Sequence, residues 1–172
     1  MRLAVAFVVL ALAPVTHGAT TAQLLRCQKG IHSRAASFVK AVETALSNCA
    51  YKVEACQLAQ EIDGEDPTSC LASVTATCAS LSAKIPNYKL AYSDKALLVC
   101  TVPVADLAPF VAGLGMFTNV GTCGATTMND LIACLFTTAQ CSAERTLFAL
   151  DPRAQDALTT AGVAGAHPCV GP

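Results

Sequence analysis

The stretch SNCAYKVEACQLAQEIDGEDPTSCLASVTATC, Ser47 to Cys78, decides the fold, because its four cysteines admit few geometries. Cys49 and Cys56 precede the segment IDGEDPT, and Cys70 and Cys78 follow it. Gly64 breaks a helix there, Asp66 can cap the next one, and Pro67 suits a first turn, where its missing N–H costs nothing. Seven residues of helix rise about 10.5 Å, whereas a disulfide wants Cα atoms no further apart than about 7 Å. Cys49 therefore cannot bond to Cys56 along one helix. In an antiparallel helical hairpin the inner cysteines face each other and so do the outer ones, which predicts Cys56 with Cys70 and Cys49 with Cys78. Zinc sites bring ligands in as close pairs separated by two to four residues, and no two cysteines here are that close. Neither a CxxC redox motif nor a CxxCH haem attachment occurs.

On the N-terminal side, Leu24, Cys27, Ile31, Ala35, Phe38, Val42, Leu46 and Cys49 recur at steps of three and four, the period of an amphipathic helix from Thr20. Gly30 within it weakens the first turns or marks a close helix contact. A second helical pattern covers Ala50 to Glu61, and a third carries Cys70 or Leu71, then Val74, Cys78, Leu81 and Ile85, to a stop at Pro86. A fourth runs from about Asn87 to Val99. Thr127 with Asp130 reads as a capping box opening a strong helix through Leu150, and in LDPRAQDALTTAG Asp151 caps, Pro152 opens and Gly162 closes a short last one. With no alternating strand pattern, the expected fold is all-α: one disulfide-stapled bundle of about six helices over residues 20–172. The other six cysteines, Cys27, Cys100, Cys123, Cys134, Cys141 and Cys169, leave fifteen connectivities. If the last helix folds back along its predecessor, Cys169 reaches Cys134 or Cys141.

Residues 1–19, MRLAVAFVVLALAPVTHGA, have the layout of a cleaved secretory signal: one Arg2, an apolar run from Leu3 to Ala13, then Pro14 and small residues. That run is about half of what a membrane-spanning helix needs. An exported chain with ten cysteines, all beyond the signal, favours five disulfides in a secreted or periplasmic setting. Only 13% of the residues are charged and the net charge is −1, so nucleic acid and anionic membrane are poor partners. The low charge reads either as a surface tiled with Ala, Ser and Thr or as one covered by an apolar ligand, a protein partner or further copies of the chain.

The segment ALLVCTVPVADLAPFVAGLGMF, Ala96 to Phe117, has one charge, Asp106, in 22 residues. Pro103 and Pro109 argue for two short buried pieces around a bend and against a membrane helix, so no transmembrane anchor is expected. Leu98, Val102, Phe110, Leu114 and Phe117 would then line an apolar groove. His32 reads as a polar boundary residue of the first helix, and neither it nor His167 has a nucleophile motif beside it. Glu61, Asp63, Glu65 and Asp66 around Gly64 lack the order of a calcium loop and suit a helix N-terminus. No catalytic, cofactor-binding or metal residues are assigned, and no cofactor is expected.

The run LLRCQKGI, the hairpin with its Asp-Pro turn, and the ending CSAERTLFALDPRAQDALTTAGV with its later PC resemble a class of alanine-rich, cysteine-rich secreted bacterial proteins of unknown function. The resemblance implies a bacterial, exported, helical protein and carries over no active residue. The function expected is a non-catalytic binding module for an apolar ligand or a protein partner. The alternatives are a structural or assembly protein of the envelope or extracellular space, and an enzyme of unrecognised type.

Overall fold

The computed structural model describes residues 18–104, 123–163 and 169, and these contain five helices and no strand. They are α1 (Thr21–Asp63), α2 (Thr68–Ser82), α3 (Ile85–Val99), α4 (Met128–Leu150) and α5 (Ala154–Thr160). The fold is all-α, as expected, but the count of about six needs correction. The two helices expected over Thr20–Cys49 and Ala50–Glu61 are one helix of 43 residues, about 65 Å long. Nothing between Ser47 and Val53 is a glycine or proline, so no residue there releases the backbone from its hydrogen-bond ladder. The buried stripe runs straight through the join, over Leu46, Cys49, Ala50, Val53 and Cys56.

Local chemistry sets the helix ends. The Thr20 hydroxyl accepts from Gln23 N–H while the Gln23 side chain returns to Thr20 N–H, a reciprocal cap that opens α1. Gly64 closes α1 at φ +70°, a left-handed conformation that costs glycine nothing, and its N–H reaches the Gln60 carbonyl. The Asp66 carboxylate accepts from both the hydroxyl and the N–H of Thr68, the first residue of α2. Those bonds, the hydroxyl's first, hold Asp66 below the usual aspartate range. Pro86 does not stop the preceding helix. Instead α2 ends at Ser82 and Pro86 sits in the first turn of α3, where proline is tolerated. Thr127 and Asp130 form the expected capping box.

Every other described helix packs on α1, which makes it the spine of the bundle. Helix α3 runs antiparallel to it, since Cys27 bonds to Cys100 at one end while Phe38 meets the Tyr92 ring further along. Phe38, Phe136, Ile31, Leu46, Leu131 and Ile132 are the largest fully buried apolar side chains and mark the core between α1, α3 and α4. Gly30 marks a close helix contact, for a Cβ there would overlap Val99 Cγ2. Among the described residues no helix is long and apolar enough to cross a membrane.

Candidate functional site

The ten cysteines form five disulfides, leaving no thiol for metal or redox chemistry. Cys49 lies against Cys78 with Cα atoms 5.0 Å apart, and Cys56 against Cys70 at 5.8 Å, so the structure brings together both pairs of the hairpin. Cys169 bonds to Cys141, one of its two expected partners, and Cys134 bonds to Cys123. Cys27 bonds to Cys100. Such a set of bonds is suited to an oxidising compartment.

Of the five residues expected to line an apolar groove, Phe110, Leu114 and Phe117 lie outside the described residues. Leu98 is 79% exposed and Val102 only 6%. Both border a shallow cleft of about 290 Å³ with Gln23, Arg26, Val99 and Thr101, which is more polar than the expected groove.

A larger hollow of about 560 Å³ lies where α1, α2 and α3 meet. Helix α1 supplies Ser37, Lys40, Ala41, Thr44, Ala45 and Asn48, a strip of mostly small residues at helical spacing. Leu81 near the end of α2 closes one side, and Tyr88 and Tyr92, one turn apart on α3, form the other wall. The hollow exists because alanine and threonine on α1 are too short to fill the space beneath two tyrosines. Phe38 backs the Tyr92 ring at 6.3 Å, fixing that wall to the core. The hydroxyls of Ser37 and Thr44 donate to the carbonyls of Ser33 and Lys40 within α1, so their lone pairs face outward. Lys40 and Asn48 add a cation and an amide. No sequence motif marks these residues. The readable signal was the pair Tyr88 and Tyr92 at i, i+4 in an otherwise weakly patterned helix.

A second apolar hollow, about 500 Å³, lies between α3 and α4, bordered by Leu90, Leu97, Ile132 and Ala133 with Lys89 and Asp94. Lys89 donates to the Thr137 hydroxyl at 2.7 Å, which fixes its ammonium to the α4 wall.

His32 is exposed, and so are Glu61, Asp63, Glu65 and Asp66. Glu61 accepts from Arg153 at 2.9 Å, tying the turn before α5 to α1. Among the described residues no group of three histidine, cysteine, aspartate or glutamate side chains is placed to hold a metal ion. Glu144 of α4 is fully buried and accepts from the Gln140 amide at 2.9 Å, and a further carboxyl that stands out is that of Glu54 on α1. Burial, then the facing Asp151 carboxylate, push it above the usual glutamate range, and Arg153 pulls the other way. Asp151 is held in place by accepting from Arg153 N–H. These residues border no hollow described above and act as a latch between α1 and the α4–α5 turn.

A raised carboxyl binds more protons in the folded state than in the unfolded state, so its favourable contribution is complete below the ordinary glutamate range and lost as pH rises through the folded value. Glu54→Gln therefore raises stability at pH 7 by about 0.5 kcal/mol, the scale of one like-charge contact. The gain fades to nothing at pH 4. Urea midpoints at the two pH values test this, and an equal shift at both would refute the assignment.

The chain matches no protein-family model, no curated protein and no solved structure.

Proposed function

We propose that this is an exported bacterial binding module, secreted or periplasmic, that carries a small ligand in the hollow between α1, α2 and α3. The observation that carries the reading is a space of about 560 Å³ walled by two tyrosines and a leucine over a floor of alanine and polar side chains from α1. That size falls within the range of small-molecule sites, about 300–1,000 Å³. Its walls are preorganised: Cys49–Cys78 pins α2 to α1, and Cys27–Cys100 pins α3 to α1. Preorganised walls reduce the ordering cost of binding. The signal-like N-terminus and five disulfides support export.

The test is a titration with the neutral fluorescent probe phenylnaphthylamine, using the oxidised protein and its Ala41→Leu variant. Saturable one-site binding that the leucine abolishes is expected, because Ala41 lines the hollow and a longer side chain fills it. Absence of binding, or binding indifferent to Ala41→Leu, overturns the reading.

Self-assembly is the second reading, favoured by an apolar strip on the outer face of α1. Tyr51 and Ile62 are 74% and 75% exposed, and Leu58 shares their face at steps of seven and four. A monomer at all concentrations in sedimentation equilibrium rules this reading out.

A further inference from the structure

We propose that the ligand of the α1–α2–α3 hollow is a free amphipathic monoanion, with an extended apolar body and a single carboxylate or similar group at the Lys40 end. This rests on the binding reading above and specifies its ligand class. The first support is shape. From Ser37 to Asn48 the α1 strip advances eleven positions, about 16 Å along the helix axis. The hollow is thus a trough along α1 and suits a chain-like body better than a compact one.

The second support is charge. Lys40 is the only charged residue among those lining the trough. A second ammonium, that of Lys95, stands 5.5 Å from the centroid of the Tyr92 ring. Because α3 is antiparallel to α1, Tyr92 lies toward the Ser37 and Lys40 end, while Tyr88 lies toward Asn48 and Leu81. Both cations therefore gather at one end. The acidic residues nearest in sequence do not answer them. Glu43 stands one turn from Lys40 on α1 but makes no ion pair with it among the described residues, and Asp94 borders the separate hollow between α3 and α4. Between the ends, the Ala41 and Ala45 methyls, Leu81 and the tyrosine rings offer contact to hydrocarbon, and the tyrosine hydroxyls offer polar contact at the rim.

The experiment displaces phenylnaphthylamine from the oxidised protein with dodecanoate or with dodecanol, each below its aggregation limit and at low salt. Dodecanoate is expected to displace the probe at about fivefold lower concentration, the scale of one solvent-exposed ion pair. Lys40→Gln is expected to remove that preference without changing displacement by dodecanol, and high salt to mimic the substitution. If the probe binds and Ala41→Leu blocks it, yet the two competitors act equally or Lys40→Gln changes nothing, the anion assignment falls and the binding reading stands. If the probe fails to bind, or binds regardless of Ala41→Leu, both fall together.

Discussion

Phe38→Ala lowers the unfolding free energy by about 4 kcal/mol, within the range for emptying a fully buried aromatic site. Phe38 has no exposed surface. Its ring packs 5.4 Å from Phe136 of α4 and 6.3 Å from Tyr92 of α3, both tilted, so three helices meet on one side chain. The substitution removes the transfer energy of the ring, leaves a cavity the three helices cannot close, and breaks aromatic contacts worth about 0.5–1.5 kcal/mol each beyond their area. Phe38→Leu keeps much of the volume and costs less than half as much. Guanidinium unfolding of the oxidised proteins measures both. A loss below 1 kcal/mol for the alanine variant would mean the contact of α1, α3 and α4 is not centred there. The substitution also has a functional readout, because Phe38 backs the Tyr92 wall of the trough. Phenylnaphthylamine binding should weaken in Phe38→Ala even at temperatures where the variant remains folded.

What the sequence discloses depends on whether a feature is fixed by neighbours in the chain or by helices meeting in space. The hairpin pairing of Cys49, Cys56, Cys70 and Cys78 follows from the rise of a helix and the reach of a disulfide, both local rules, and the structure makes those bonds. The capping box at Thr127 and the Asp151 and Gly162 boundaries of α5 are equally local. The join at Cys49–Ala50 misleads, because a change in the spacing of apolar residues resembles a boundary even where no residue breaks the backbone. Pro86 misleads for a related reason: proline ends one helix or opens another, and only the break at Ala83 and Lys84 decides which. The trough is illegible because its floor, cap and wall come from three helices, and none of Lys40, Ala45, Leu81 or Tyr92 belongs to a motif. Hydropathy instead draws attention to Ala96–Phe117, whose central residues lie outside those described.

Removing Cys27 and Cys100 together, as a double alanine variant, costs about 4 kcal/mol, more than removing any other single bridge. In the chain-entropy account a bridge stabilises by restricting the unfolded chain, and the restriction grows with the loop it closes. Cys27–Cys100 has the greatest sequence separation, 73 residues. Cys49–Cys78 lies inside that loop and shortcuts it, so the loop freed is about 45 residues, still the largest. Cys56–Cys70, with a separation of 14, is worth about 3 kcal/mol by the same relation. The native side of the balance points the same way. Gly30 lets Val99 approach α1 one residue before Cys100, and both cysteines are buried, so the bond locks a contact already formed by packing. Guanidinium midpoints for the two double variants decide the order, and a larger loss from Cys56 and Cys70 would overturn it. Because only the Cys27–Cys100 bridge anchors α3, its removal should also weaken probe binding through the Tyr88 and Tyr92 wall. Loss of Cys56–Cys70, far from the trough on α1, should leave probe binding unchanged and so separate stability from the shape of the site.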